Sequence, residues 1–386
     1  MPALIGARRQ FMGQSGNQIL DLNFVSGQYR GGSLSSNLSL TRSSPGITSN
    51  AAGALFSFAS GEFRIKDLGI KVDPTRVNKC TNFNANPTDL TNVTKGGDAA
   101  ATLTVVDDTA ALLAAGLQNI ATSGKVYKLD NSAGVASAYV TFNGQVGNTN
   151  THISSIYGRR TSGSGTDLFG LNSQQGTWTL TSAYTRSSIS NLPGASTRQF
   201  QLIINASDVV YFTLNQLEEG SFATPVIEVA GASATRQADN ILFTGAADSI
   251  ARSAQGWAVV EIGTGSYEAS AFLLGGAGAS DYYLRQGSGG NTTVQGRFGG
   301  ATNTAATIGG GGVIGTNIIK AGITWNGAGF DICANNGTVA SLAQSPVTPS
   351  GVYFGGRNGS SVSSLHFRRL TMGRTYLGTG IAAKTV

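Results

Sequence analysis

Hydrophobic residues along this chain recur in short alternating runs, which is the pattern of half-buried β-strands. Residues 209–217 and 257–263 form the clearest runs, and both are rich in β-branched and aromatic side chains. Turn signals such as Asn143-Gly144 and Pro193-Gly194 separate several of the runs. Many short strands at this spacing predict an all-β protein built from β-sandwiches.

The best helix candidate in the chain is the short segment 107–116. Asp108 is positioned to cap its N-terminus and Gly116 to end it. A helix of this length defines no helical domain. Asp107 and Asp108 are also hard oxygen ligands of the kind that Ca²⁺ takes, but capping is the preferred interpretation, and no other cofactor or metal is predicted.

Two segments mark a boundary between modules. Residues 216–225 (QLEEGSFATP) close one β-rich half, and residues 234–239 (ATRQAD) open another. Pro225 has no amide donor, so the chain there is predicted to be an edge or a crossover, and the small residues 231–233 indicate a hinge. The predicted fold is two tandem jelly-roll-type β-sandwiches behind a β-rich N-terminal region: residues 1–78 are the arm and lead-in region, 79–230 the first module and 231–386 the second.

The composition supports packed modules. The chain has 386 residues, a length typical of two or three domains. Hydrophobic residues make up 40% of it, enough for real cores, while charged residues make up only 12%. A disordered chain would have the opposite balance. The 54 glycines follow no Gly-X-Y period, which excludes collagen.

The net charge and the positions of the cysteines indicate which binding partners and which cellular compartment to expect. The net charge of +6 comes from scattered basic residues, so nucleic-acid binding is not predicted. Cys80 and Cys333 lie in different modules without CxxC spacing, which predicts buried thiols in a protein assembled in a reducing cytoplasm. The first 21 residues lack the apolar region of a signal peptide. No run of about 18 apolar residues is present to span a membrane.

The sequence carries no recognisable catalytic motif. His152 and His366 lie in different predicted modules, and neither GxSxG nor HExxH occurs. Glycoside hydrolases need two carboxylates that face the glycosidic bond. The E-x-D-x-E pattern that would supply them is absent, and the nearest pair, Glu261 and Glu268, has a glycine-rich turn between its members. The chain is therefore predicted not to be an enzyme, with no catalytic residues.

The boundary segments resemble the module junction of bacteriophage tail and fibre proteins. In those proteins a carbohydrate-binding-like jelly roll ends in QLEEG…ATP, and a TR-AD segment leads into a concanavalin-like sandwich. Residues 19–24 (ILDLNF), 38–46 (LSLTRSSPG) and 69–78 (GIKVDPTRVN) resemble, in that order, the N-terminal part of the same proteins. The hairpin that includes Trp325, Asn326 and Gly327 resembles one of concanavalin- or laminin-G-like domains.

This resemblance implies a virion structural protein of a tail fibre, a head fibre or a spike. Such a protein is located at the virion surface after assembly in the host cytoplasm. It attaches to other virion proteins through its N-terminal region, adsorbs to host surface polysaccharide and forms a homo-oligomer, by analogy a trimer. Two alternatives stay open: a purely architectural capsid or tail decoration protein that binds no sugar, and a polysaccharide depolymerase.

Tyr282, Tyr283 and Arg285 are the candidate glycan-binding residues. They lie between the Gly-rich segments 275–280 and 287–291, and loops on a rigid sandwich often carry recognition. The tyrosines can supply a stacking face for a sugar ring, and Arg285 can donate a planar fork of hydrogen bonds. The tryptophans lie in alternating runs and are predicted to pack in cores: Trp178, Trp257 and Trp325.

Overall fold

The all-β class predicted from the sequence is confirmed. A computed structural model describes residues 18–80, 86–91, 93–228, 233–267, 271–276, 283–287, 291–297, 303–344, 349–357 and 363–386. Strands make up 50% of the structure and helices 8%. The predicted arm, up to residue 17, and most of the predicted hinge, residues 231–232, lie outside the described residues.

Residues 18–80 form short strands joined by tight turns. Alternation in the first strand buries Leu20 and Leu22, followed by Phe24, on one side of the sheet. The elements of this segment are β1 (Gln18–Asn23), β2 (Gln28–Arg30), α1 (Leu34–Asn37), β3 (Leu38–Thr41), β4 (Gly46–Ser49), β5 (Leu55–Phe58), β6 (Ile65–Lys66), β7 (Gly69–Val72) and β8 (Arg76–Asn78).

The next segment forms a β-sandwich, as the sequence predicted. Its elements are β9 (Val93–Gly97), β10 (Thr102–Asp107), α2 (Thr109–Ala114), β11 (Lys125–Asp130), β12 (Ala138–Gln145), β13 (His152–Ser162), β14 (Asp167–Leu171), β15 (Gln174–Trp178), β16 (Thr185–Asn191), β17 (Gln199–Ile204) and β18 (Val209–Glu219). Two five-stranded antiparallel sheets have the orders β10-β11-β18-β13-β16 and β15-β14-β17-β12-β9. We refer to this unit as the first sandwich.

Aromatic side chains join the two sheets of the first sandwich. Phe212 of β18 stacks on Tyr127 of its own sheet at 5.5 Å and meets Phe142 of the other sheet edge-on at 5.8 Å. Trp178 is 1% exposed in the same core, as predicted. Offset and edge-on contacts of this kind add to the area that the rings bury.

The last part of the chain contributes most of a second sandwich. Its elements are β19 (Ala234–Arg236), β20 (Asn240–Phe243), α3 (Gly245–Ala251), β21 (Gly256–Ser266), β22 (Phe272–Gly276), β23 (Tyr283–Gln286), β24 (Thr293–Arg297), β25 (Asn303–Thr307), β26 (Ile319–Asn326), β27 (Gly329–Ala334), β28 (Ala340–Leu342), β29 (Val352–Phe354), β30 (Ser364–Gly373) and α4 (Ile381–Lys384), with 3-10 turns at Gly309–Gly311 and Gly378–Gly380. Trp257 and Trp325 are buried in this unit, as predicted.

Strands from the N-terminal segment complete both sheets of the second sandwich. One sheet has the order β2-β1-β30-β21-β26-β27-β28, with β7 also paired to β30, and the other has the order β25-β24-β23-β22-β29-β20-β3. In β1, Leu22 pairs with Leu370, and in β3, Leu40 pairs with Ile241. The predicted lead-in region therefore shares its sheets and core with the C-terminal module. The boundary in the sequence predicts that residues 239–386 fold alone, whereas the shared core predicts that they require the lead-in strands.

In strand β18, the alternation of side chains between the two faces reverses half-way along the strand. The register of its pairing with β13 shifts there by one residue, and Leu214 has a φ of +55°. Phe212 before this bulge and Leu217 after it both face the core of the first sandwich. Beyond the bulge, side chains at even-numbered positions therefore point away from that core. Gln216 and Glu218 face the chain segment that follows β18.

The predicted short helix is present as α2, but its capping differs from the prediction. Asp108 occupies the N-cap position without a side-chain capping hydrogen bond. Its carboxylate instead accepts hydrogen bonds from Arg159 Nε at 2.7 Å and from Tyr184 Oη at 2.7 Å. Asp107 Oδ1 accepts from the Thr109 amide at 3.2 Å. The predicted capping role of Asp108 is therefore wrong, because its carboxylate is bound by the Arg159 guanidinium, which is 14% exposed, and by the Tyr184 hydroxyl.

Candidate functional site

The predicted glycan site lies largely outside the described residues. Tyr282 is one of the residues outside them, and Tyr283 begins β23 with only its backbone described. Arg285, two residues further along the same strand, bonds Gln295 Oε1 of β24 through Nε at 3.2 Å and Nη2 at 3.0 Å. Glycan binding by these three residues stays a prediction.

Residues of three of the motif segments, 38–46, 69–78 and 234–239, meet Arg64 in a buried ion cluster between the two sandwiches. Arg42 of the LTRS segment binds Asp239 Oδ1 through Nη1 at 2.6 Å. Arg64 bridges Asp239 and Asp73, with its Nη1 atom 2.5 Å from Asp73 Oδ2. Arg236 of the ATRQAD segment donates to the carbonyl oxygen of Pro74 at 3.0 Å. We call these residues, together with Lys71, the joint ion cluster.

Full burial makes the joint ion cluster depend on its pairing. The Arg64, Asp73 and Asp239 side chains are at most 1% exposed. Burial by itself would raise the pKa of Asp73, but the positive charges of Arg64, Lys71 and Arg236 hold that pKa far below its ordinary range. The motif residues therefore have a structural role: they clamp residues 236–239 to the N-terminal segment.

The QLEEG…ATP segment forms a second clamp. Glu218, which is fully buried, accepts a hydrogen bond from the Thr224 amide at 3.1 Å and one from Gln216 Nε2 at 2.5 Å. Gln216 Oε1 accepts from the Ile227 amide at 2.7 Å. Strand β18 is thus tied to the chain that leaves it, so Glu218 belongs to a structural turn.

A groove lies beside these clamps, and we call it the joint groove. Its volume is about 510 Å³. Three parts of the chain line it: β8 with the residues next to it, the loop before β13, and the end of β18. The lining residues are Thr75, Arg76, Val77, Lys79, Asn150, Thr151, Glu219, Gly220 and Ser221.

A connected set of polar side chains stands at one end of the joint groove. Glu219 Oε1 accepts from Asn150 Nδ2 at 2.6 Å, Glu219 Oε2 accepts from Asn148 Nδ2 at 2.9 Å, and Lys79 Nζ lies 3.7 Å from Oε2. The hydrogen bonds from Asn150 and Asn148 lower the pKa of Glu219. The groove therefore presents an ionised carboxylate that retains unused acceptor positions.

His152 supports this set through contacts with Asn150 and Lys79. Its Nδ1 atom is 2.7 Å from the Asn150 carbonyl oxygen, to which it donates, and Lys79 Nζ is 3.2 Å from Nε2. Burial lowers the pKa of His152, which favours a neutral ring that accepts from the ammonium. Arg76 also lines the groove, and its guanidinium lies 5.3 Å from the centre of the Phe222 ring.

The residues of this groove were not singled out as a site from the sequence. Glu219 and Asn150 are 69 positions apart, and their contact depends on the pairing of β13 with β18, in which His152 faces Glu219. The sequence held one local indication of this site. Asn148 and Asn150 lie just before a strand and are two positions apart, the spacing of side chains on one face of an extended segment. Their partner is set by the sheet, which no local pattern reveals.

The described residues form neither a metal site nor a disulfide. No group of three or more His, Cys, Asp or Glu side chains there is arranged to hold a metal ion. Cys80 and Cys333 are both buried without a disulfide, as predicted, and burial raises the pKa of Cys80 to about 12. No helix in the described ranges has the length and apolar character needed to cross a membrane.

Comparisons with known proteins give only distant likenesses. No family model matches this chain, and no curated protein matches it. The carbohydrate-binding module CBM40 of the Ruminococcus gnavus IT-sialidase, solved with α2,3-sialyllactose, aligns over 36% of this chain and 87% of its own, with 19% identity and a TM-score of 0.30. The Trypanosoma rangeli sialidase, solved with the inhibitor DANA, aligns over 73% of this chain and 52% of its own, with 11% identity and a TM-score of 0.29. Likeness at these TM-scores carries no argument about function.

Proposed function

We propose that this protein binds glycan without catalysis, as a structural protein of a virion surface, and that the joint groove holds the sugar. The observation that carries the proposal is the cluster of Glu219, Asn150 and Lys79 at the end of an open groove of about 510 Å³. Ligand sites typically have volumes of about 300–1,000 Å³ with a few convergent polar groups. Carboxylate, amide and ammonium groups together offer both acceptors and donors to vicinal hydroxyls.

The charges of the groove favour binding over hydrolysis. Among the described residues that line it, Glu219 is the single carboxylate. Hydrolysis of a glycosidic bond by the common mechanisms requires two carboxyl groups, about 5–5.5 Å apart in retaining enzymes and about 6.5–9.5 Å apart in inverting ones. A groove with one carboxylate lacks that pair. A depolymerase would therefore need a different site.

The virion role rests on the resemblance of the boundary and N-terminal segments to phage tail and fibre proteins. Under this proposal the N-terminal region contacts other virion proteins, and a homotrimer presents several grooves to host polysaccharide. Multivalent display makes weak single-site affinity sufficient. The architectural alternative has one observation in its favour, because the motif residues Arg42, Arg236 and Asp239 are buried in a structural cluster.

Glycan-array binding of the full chain tests the proposal, with affinities then measured by calorimetry for the best ligand. We expect Glu219→Gln to weaken binding by at least about tenfold, the change expected for one charge-assisted hydrogen bond. The matched control is Glu62→Gln, since Glu62 is exposed on the N-terminal segment, away from the groove lining. Arg285→Ala tests the predicted tyrosine site in the same assay.

Each outcome selects one interpretation. Loss of binding in Glu219→Gln with normal binding in Arg285→Ala supports the groove, and the reverse supports the site at Tyr282, Tyr283 and Arg285. Failure of the parent protein to bind any host polysaccharide would favour the architectural role. Release of reducing ends from the polysaccharide would identify a depolymerase. Gold-labelled particles observed by electron microscopy test the location on the virion.

A further inference from the structure

A second cavity lies between the two sandwiches and shares no lining residue with the joint groove. Its volume is about 190 Å³, and we call it the joint pocket. All three segments of the chain contribute to its wall: Lys71 from the N-terminal segment, Arg186 from the first sandwich and His366 from the second, among others. Ser266, which is exposed, stands at its rim and connects it to solvent.

The charged side chains of the pocket wall are all positive. Lys71 and Arg186 line it, and none of its described lining residues is a carboxylate. Lys71 is 6% exposed, and its Nζ atom lies 3.7 Å from Asp73 Oδ1. That carboxylate is already engaged, because Asp73 Oδ1 accepts from Ser364 Oγ at 2.6 Å and Oδ2 lies 2.5 Å from Arg64 Nη1. The Lys71 ammonium is thus desolvated and only partly neutralised, a costly arrangement without a further partner.

Several polar atoms of the wall are likewise unsatisfied by the protein. Thr48 Oγ1 and His366 Nε2 have no hydrogen-bonding partner among the described groups, although these residues are only 2% and 8% exposed. Arg186 donates through Nη2 to the Thr224 carbonyl oxygen at 2.7 Å, while its Nε atom has no described partner. Buried polar atoms are almost always paired, so these atoms suit a bound polar ligand.

We propose that the joint pocket binds a small oxyanion, with Lys71 as the principal charge and Thr48 as a hydroxyl donor. The volume far exceeds the roughly 10–15 Å³ needed for one water molecule. Carboxylate, sulfate and phosphate share the required chemistry: negative charge and several acceptor oxygens. A bound anion links all three segments and so strengthens the contact between the sandwiches. The proposal is independent of glycan binding in the joint groove.

The experiment is titration calorimetry of the full chain with sodium sulfate, sodium phosphate and sodium glucuronate, at constant ionic strength with sodium chloride. Glucose is the neutral control. We expect saturable binding of at least one anion and none of glucose. Lys71→Met keeps the apolar length of the side chain and should weaken binding by at least about tenfold. Lys66→Met is the matched control, because Lys66 lies over the Phe56 ring, outside the pocket.

A second variant keeps the test informative if Lys71→Met does not fold. Ser266→Phe fills the rim from an exposed position and leaves the buried cluster untouched. Anion-induced shifts in the melting temperature should then disappear in Ser266→Phe but persist in Lys66→Met, whereas general stabilisation by sulfate acts equally on both. Binding of glucuronate alone identifies an organic carboxylate, and binding of sulfate or phosphate identifies an inorganic source. Absence of binding by all three anions, or equal binding in parent and Ser266→Phe, overturns the proposal.

Discussion

Single residues of the joint ion cluster show why buried charges need a full set of partners. Asp239 receives Arg42 Nη1 at 2.6 Å, contacts Arg64, and accepts the Asp73 amide at 2.8 Å through Oδ2. An ion removed from water loses several kcal/mol of solvation, which such contacts must offset. Replacing one member leaves the others buried without their partner. The cluster therefore concentrates much of the stability of the joint in a few side chains.

We expect Asp239→Asn to destabilise the protein by about 3–5 kcal/mol, because it leaves two buried guanidinium groups short of one negative charge. Equilibrium unfolding in urea measures the change. Asp248→Asn is the control, since it breaks an i,i+4 pair with Arg252, which is 40% exposed. That change should cost only about 0.3–0.5 kcal/mol. Equal effects of the two substitutions would show that the buried cluster contributes no more than a surface pair.

The acid sensitivity of the fold should depend on His366. Burial lowers its pKa from 6.5 to about 3 in the folded protein, with Lys71 and Arg64 adding repulsion and Asp73 opposing it. Between these two pKa values the unfolded chain binds the extra proton, so stability falls as the pH falls. The slope contributed by one such group is about 1.4 kcal/mol per pH unit. In His366→Gln, the unfolding free energy measured from pH 6 down to about 4 should therefore fall less steeply than in the parent protein.

His152→Gln is the matched control for that measurement. His152 also has a lowered pKa, but it is supported by hydrogen bonds at the joint groove rather than by the ion cluster. Its substitution should leave the contribution of His366 in place. An unchanged pH slope in His366→Gln would show that this ring is protonated in the folded protein as readily as in the unfolded chain.

Among the elements, β1 belongs to a sheet formed mainly by strands that are far from it in the sequence. It pairs with β30 at an edge that would otherwise expose unpaired amides and carbonyls. Its alternation places Leu20 and Leu22 in the core of the second sandwich and Ile19 outside it. One strand near the start of the chain therefore completes a sheet built mainly from its end.

We expect Leu22→Ala to destabilise the second sandwich by about 2–5 kcal/mol, through the cavity that it leaves in the core. Hydrogen exchange measured by mass spectrometry should show faster exchange in β30 and β21 than in the first sandwich. Ile19→Ala, on the opposite face of the same strand and 39% exposed, should change little. Protection that is equal in all three proteins would contradict the assignment of β1 to this core.

At the scale of the whole molecule, the order of segments along the chain differs from their order in space. The first sandwich is formed by one continuous stretch, whereas the second uses strands from both sides of that stretch. The ribbon of β8 and β19 lies at the crossing, where Arg76 pairs with Arg236. This arrangement places the ion cluster, the joint groove and the joint pocket at the points where all segments meet.

We expect a fragment of residues 239–386 not to melt cooperatively on its own. It lacks β1, β3 and β7, so two sheets lose paired edges and the core loses side chains that include Leu20, Phe24 and Val72. Addition of residues 18–80 by fusion through a flexible linker should restore a cooperative transition in thermal circular dichroism. A cooperative melt of the unfused fragment would show that the N-terminal strands are dispensable.

The class of the protein and much of its local structure follow from the amino-acid pattern alone. Alternating runs predicted strands because side chains in a strand point to opposite faces in turn, and that periodicity survives in any sheet. The same patterns predicted the short helix, the burial of Trp178 and the buried thiols, each of which depends mainly on local composition.

Which strands are neighbours, and what the motif residues do, depend on contacts between distant parts of the chain. Alternation identifies the buried face of β1. It does not identify β30 as the partner of β1, because backbone hydrogen bonds are alike in every strand. Arg42 and Asp239 are 197 positions apart, and their pairing follows from sheet order rather than from any spacing in the sequence. The joint groove arises in the same way, since Glu219 meets Asn150 through strand register. Contacts between distant segments are set by packing of the whole core, which local patterns do not encode.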